Sequence, residues 1–174
     1  MLVIRPASSA EAQDLAKIGL AAWETVISHW GEDAGRLREN ARKAYYDFCT
    51  RNWPDIVVAE LDGDLAGWGS CEKADDFITD LWVDPAFQRR GVGTALLEEI
   101  ESGIRKRGYS TARLDTHARN HGAIRLFKRQ GYRVKTYFVS YSEPLDEDID
   151  KVEMIKEFEP GAEPNPEEDG LYSP

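Results

Sequence analysis

Residues 81–94 read Leu-Trp-Val-Asp-Pro-Ala-Phe-Gln-Arg-Arg-Gly-Val-Gly-Thr, an apolar strand that passes a proline into a basic, glycine-spaced turn and then opens a helix. Few structures satisfy such a segment. Pro85 ends the strand because it has no N–H to give to a ladder. Gly91 and Gly93 lack Cβ, so the backbone there can turn tightly and come close to a ligand. The first N–H groups of the helix have no partner within it and point out of its positive end. Arg89 and Arg90 place guanidinium charge beside them. This is a cradle for a pyrophosphate, with Gln88, Arg89, Arg90, Gly91, Val92, Gly93 and Thr94 as its candidate residues.

The two commonest phosphate cradles do not fit. A Walker loop needs a lysine between glycine and Ser/Thr, and here Thr94 follows Gly93 directly. A dinucleotide fingerprint needs a third glycine where Leu96 stands, and it follows a parallel strand-helix-strand unit. The preceding strands, 55–61 and 65–72, are instead joined by Asp62-Gly63-Asp64, a hairpin signal. Charge narrows the ligand further. Residues 88–135 hold 12 Lys and Arg against 4 Asp and Glu, a net of +8 inside a chain whose total is −10. A basic island in an acidic protein suits one anionic ligand at a fixed place, whereas nucleic acid needs a broader basic face.

The remaining pattern describes one α/β domain over residues 1–158. Leu2–Arg5 reads as a strand, and Ser8 with Glu11 as a capping box ahead of a helix carrying Leu15, Ile18, Ala22 and Val26. A second helix is expected over 34–50, a strand over 77–83, and helices over 94–106 and 120–130. A strand over 111–116 separates those last two helices, and strands over 132–141 and 152–158 form a final hairpin. Residues 159–174 carry four prolines and five acids with little to bury, so a disordered tail is expected. Cys49 and Cys71 lack framework spacing, the start lacks a basic leader, and no stretch nears the ~20 apolar residues of a membrane helix. The expectation is a cytoplasmic protein with no membrane or nucleic-acid partner; a homodimer remains open.

The segment Gln88-Arg89-Arg90-Gly91-Val92-Gly93 resembles the Gln/Arg-x-x-Gly-x-Gly/Ala motif of the GNAT superfamily of acyl-CoA N-acyltransferases. A second block matches in order: Leu114-Asp115-Thr116, Asn120, Ala123-Ile124-Arg125-Leu126-Phe127 and Gly131-Tyr132. Together the blocks cover residues 77–133, about a third of the chain. The resemblance implies the GNAT fold, a mixed, mostly antiparallel twisted sheet of about six to seven strands flanked by about four helices. It also implies acetyl-CoA as acyl donor and no metal. The backbone of Leu81, Trp82 and Val83 would then pair with the pantetheine arm, the Arg89–Thr94 turn would hold the pyrophosphate, and Asn120 would touch the pantetheine or the thioester end. Arg125 and Lys128 could reach the 3′-phosphate.

Acyl transfer to an amine needs a base, an oxyanion donor and a leaving thiolate. Asp115 matches the position where related enzymes can carry a glutamate, and alternation puts Arg113, Asp115 and His117 on one face. Asp80, sharing a face with Trp82 on the neighbouring strand, is the second candidate base. A backbone N–H of Trp82 or Val83 is the expected oxyanion donor. One departure stands out: the family often has at position 127 a tyrosine that protonates the sulfur, and this chain has Phe127. Tyr132 and Tyr137 are the substitutes to consider. Residues 1–87 hold 8 basic and 16 acidic residues; Glu32, Asp33, Asp75, Asp76 and Asp80 lie in this half, as do Trp23, His29, Trp30, Tyr45, Tyr46, Phe48 and Trp53 of residues 23–53. A cationic primary amine is the expected acceptor: a small amine, an amino-sugar, a lysine or a peptide N-terminus. The alternative is an acyl-CoA-binding regulatory or interaction module that does not turn over.

Overall fold

The computed structural model describes residues 1–28, 34–143 and 145–160. The expected tail from 161 onward, and His29, Trp30, Glu32 and Asp33, lie outside the described residues. In chain order come β1 (Leu2–Pro6), α1 (Ala12–Ser28), α2 (Ala34–Asn52), β2 (Ile56–Leu61), β3 (Asp64–Ser70), β4 (Phe77–Ile78) and β5 (Asp80–Val83). Then follow α3 (Val92–Lys106), β6 (Thr111–His117), α4 (His121–Arg129), β7 (Arg133–Ser142) and β8 (Glu147–Glu157). The strands form two four-stranded sheets, β1-β2-β3-β5 and β4-β6-β8-β7.

Those sheets are joined where the pattern suggested one strand over 77–83. The chain there is extended but switches partners at Thr79. Before it, Phe77 and Ile78 run parallel to Arg113 and Leu114 of β6. After it, Asp80–Val83 pair antiparallel with Ser70, Gly69, Trp68 and Gly67 of β3. The switch is pinned locally. The Thr79 N–H donates to Ser70 O at 2.9 Å and its hydroxyl donates to the same carbonyl at 3.1 Å, which ties the second half to β3. The first half is held to β6 by the Arg113 N–H donating to Asp76 O at 2.7 Å. Apolar alternation within 77–83 could not reveal this break, because both halves bury side chains.

Cores lie on both faces. Leu15, Ile18, Trp23 and Ile27 of α1 pack with Ala41, Tyr45 and Cys49 of α2 against Val58 and Trp68. The Trp68 indole N–H donates to Leu15 O at 2.8 Å. Val26, expected on the inner face, is half-buried, and Ile27 takes its place. On the opposite face Leu97, Ile100 and Ile104 of α3 and Phe127 of α4 meet Ile78, Leu114, Val152 and Met154. Beneath α4 a buried polar group is fully partnered: Glu101 accepts from the Tyr132 hydroxyl and from Lys156 Nζ, both at 2.8 Å. The capping box also forms, with the Ser8 N–H donating to the Glu11 carboxylate at 2.8 Å.

α3 presses on β3 where β3 has no side chain in the way. A Cβ at Gly67 would stand 2.7 Å from Trp82 O and 3.2 Å from both Leu96 and Val92 side chains. Carbonyl and helix would both have to retreat. Gly67→Ala is therefore expected to destabilise the fold by about 1–3 kcal/mol, measured as a lower midpoint of urea unfolding at unchanged slope.

Candidate active site

The partner switch at Thr79 has a geometric consequence. β5 goes with the first sheet and β6 with the second, so the two strands diverge beyond Ile78 and Leu114 and leave a wedge between them. A cavity of about 640 Å³ opens there, with Asp80, Leu81 and Trp82 on one wall and Leu114, Asp115, Thr116 and His117 on the other. β5 has β3 as its sheet partner on one side only, so its other edge carries backbone N–H and C=O groups that face the wedge. An extended amide-bearing chain is the natural complement of such an edge.

At the end of β5 the chain reaches the glycine-spaced turn. Asp84 accepts from the Ala86 N–H at 2.8 Å and starts a 3-10 turn over Pro85–Phe87. Arg89 and Gly91 then adopt left-handed backbone, at φ 62° and 81°. For Gly91 this conformation, rather than crowding, is the reason for glycine, since a Cβ there would meet nothing within 4 Å. α3 starts at Val92, earlier than the pattern suggested, and Gln88–Gly91 are exposed in front of its first N–H groups. Arg90 lies over the Phe87 ring at 5.6 Å and within 3.7 Å of Asp62. The turn, the helix end and the two arginines fit a pyrophosphate. Asn120 caps α4, accepting from the Ala123 N–H at 3.3 Å, and its side chain lines the wedge beside Phe127. Arg125 and Lys128 are exposed on α4.

Several other members of the basic island are committed elsewhere. Arg113 bonds Asp76 at 2.8 Å and Glu153 at 3.3 Å, Arg133 bonds Glu157 at 2.9 Å, and Arg105 lies over Phe158 at 4.2 Å. The island's net charge is therefore a weaker guide to the ligand than the geometry of 88–94.

Both candidate carboxylates line the cavity, in different states. Asp80 accepts from the Trp82 indole N–H at 2.9 Å. Burial pushes its carboxyl up to about 7; the bond from Trp82 opposes that push, and the charges of Glu72 and Asp115 add to it. Trp82 is itself held by the buried Tyr45 ring, edge-on at a centroid distance of 5.2 Å. Asp115 instead accepts from Lys151 Nζ at 3.0 Å. That lysine was missed in the sequence, because the last strand was expected to start at Val152 whereas β8 begins at Glu147. Glu72, Asp47 and Glu143 also line the cavity and had no sequence signal beyond the acidic bias of the chain. Of the acids expected near the acceptor, Asp75 and Asp76 stay outside. Asp75 accepts from the Phe77 N–H at 2.8 Å, and Asp76 is taken up by Arg113 and Thr111.

Neither substitute tyrosine is placed to protonate a sulfur. The Tyr132 hydroxyl is spent on buried Glu101, and burial drives its pKa far above the ordinary phenol value. Tyr137 is 68% exposed on β7, away from the cavity. Phe127 is buried and lines the wedge with an apolar ring.

The match to known proteins agrees with this geometry. The model of the acetyltransferase (GNAT) family matches residues 20–132. An Escherichia coli protein, [ribosomal protein bS18]-alanine N-acetyltransferase, is 38% identical over 72 residues, which is 41% of this chain and 49% of that protein. The chain spans about half the length, or less, of the first curated relatives it matches. Among solved structures, a GCN5-related N-acetyltransferase of Rhodopseudomonas palustris superposes with a TM-score of 0.75 at 23% identity, covering 90% of this chain and 95% of that one. The Thermoplasma acidophilum PaiA N-acetyltransferase in complex with coenzyme A gives 0.73 at 18% identity, covering 91% and 99%. Because that family model spans the split strand, both walls of the wedge and the glycine turn, the chain belongs to the GNAT acetyltransferase family.

Proposed function

We propose that this protein is an N-acyltransferase that moves an acetyl or other short acyl group from acetyl-CoA to a primary amine by direct attack in a ternary complex. The wedge between β5 and β6, leading into the Gln88–Thr94 turn, carries this reading. The open edge at Leu81–Val83 offers backbone groups to the pantetheine amides, and the N–H groups of Arg89–Thr94 receive the pyrophosphate. Coenzyme A supplies the activated thioester. Of the two expected β5 donors, Trp82 turns its backbone toward β3, so the outward N–H of Val83 stabilises the oxyanion. Asp80 takes a proton from the amine, because a carboxyl near 7 is half ionised at neutral pH and basic enough to accept one. Asp115, paired with Lys151, adds negative charge to the acceptor side and is the second carboxylate in reach of the amine.

The acceptor reading follows from the charged and aromatic lining of the cavity. Asp47, Glu72 and Glu143 join the two aspartates there, against Arg51 and Lys151 as cations, and Trp23, Tyr45 and Phe48 supply aromatic surface. Carboxylates among aromatic faces suit a cationic primary amine. Similarity to an enzyme that acetylates a ribosomal protein's alanine supports including peptide amines in the test. The second reading, a module that binds acyl-CoA without turning it over, rests on one observation: Phe127 has no hydroxyl and Tyr132 cannot lend one.

Incubation with acetyl-CoA and a panel of amines, following release of free thiol, separates the two. Transfer to cationic amines is the expected result; binding of coenzyme A with no transfer to any amine supports the module. Asp80→Asn should lower kcat by about 100-fold. In the native enzyme kcat/KM should rise with pH to a midpoint of about 7. Removing the indole donor in Trp82→Phe should move that midpoint upward. Stability has the opposite sign: Asp80 holds its proton more tightly folded than unfolded, so its contribution is present below about pH 4 and is lost as pH rises through about 7. Asp80→Asn should therefore unfold at a higher temperature than the native protein at pH 8. Phe127→Tyr should raise kcat several-fold while leaving coenzyme A affinity unchanged, as read by the same thiol assay.

A further inference from the structure

The cleft already contains an amine. Lys151 Nζ lies 3.0 Å from Asp115 Oδ1, the place where an acceptor ammonium would meet that carboxylate, and both side chains line the cavity. The pair is one of two diagonal contacts between β6 and β8. In the other, Arg113 bonds Glu153 at 3.3 Å, and neither of those residues lines the cavity. The same register that pairs Arg113 with Glu153 outside the cavity therefore sets the Lys151 ammonium inside it. The Lys151 and Asp115 side chains keep 25% and 23% of their exposure, so the ammonium is reachable and only weakly held. Lys156, the other lysine drawn inward, is locked on buried Glu101. No other lysine lines this cavity among the described residues.

We propose that Lys151 is itself an acyl acceptor, a self-modification site within the cleft, on the acyl-transfer reading given above. The ammonium gives one proton to a cleft carboxylate, which passes it to solvent. The neutral amine adds to the thioester carbonyl, forming the N–C bond. The C–S bond then breaks, and the second nitrogen proton goes through solvent to the thiolate. Products are an acetylated Lys151, free coenzyme A thiol and one released proton, with no further reactant needed. The amide is neutral, so Asp115 loses this partner, and among the described residues the cavity keeps Arg51 as its permanently charged cation. A cationic acceptor then meets a more negative cleft.

The test incubates the full chain with acetyl-CoA alone and follows intact mass, peptide mapping and thiol release. The expected result is one acetyl group per chain, on Lys151, formed at a rate independent of protein concentration, matched by thiol release and absent in Lys151→Arg. The acetylated protein should show a several-fold lower KM for a diamine. The proposal is overturned if the amine panel is acetylated while Lys151 stays unmodified. It is equally overturned if Lys151 reacts no faster than the exposed Lys17 and Lys43, which would mark ordinary chemical acetylation. Failure of every amine, Lys151 included, in protein that binds coenzyme A would instead overturn the acyl-transfer reading itself.

Discussion

The Ser70 carbonyl, which accepts both the N–H and the hydroxyl of Thr79, is the contact on which the architecture turns. It commits the second half of one extended segment to β3 after the first half has been committed to β6. A segment that continued along β6 would zip the two sheets into one and close the wedge. Because Thr79 is tied to β3, β5 keeps unpaired the edge that faces the wedge. An unpaired edge inside a fold costs free energy unless a ligand or water completes it. The fold thus prepares an extended binding groove before any side chain is chosen for it.

The same switch sets the electrostatics. It puts Asp80 beside Trp82, whose ring meets Tyr45, and it leaves Asp115 on the opposite wall where Lys151 can reach it. Two carboxylates facing one cavity are thereby driven apart in character. One is desolvated and close to neutrality in its titration, and the other is paired with a cation. Divergence of this kind marks out different roles for acids in one site. On the proposed reading Asp80 is the base, although the family pattern directs attention first to Asp115.

Much of this was legible in the residues. The glycine-spaced turn, the capping box and the two motif blocks are local signals, written by backbone conformation and helix ends, and they survive without tertiary context. Leu81, Trp82, Asn120 and Phe127 line the wedge, and it was the family resemblance that singled them out. What the sequence concealed depends on distant partners. The break at Thr79 arises from Ser70 and β6, neither adjacent in the chain. Lys151 meets Asp115 only through the register of β8, whose first five residues are too polar to read as strand. Arg113 looked like part of an anion site until its neighbours Asp76 and Glu153 were in place. Net charge over a window cannot tell a committed guanidinium from an available one.

On the acyl-transfer reading the β5 edge and the Gln88–Thr94 turn form one continuous ligand surface. Amide hydrogen exchange with and without coenzyme A tests it most directly. Protection confined to 81–83 and 89–94 on addition of coenzyme A is the predicted result. No change at saturating ligand, or protection centred instead on the outer groove between α1 and α2 near Lys17 and Arg42, would contradict it.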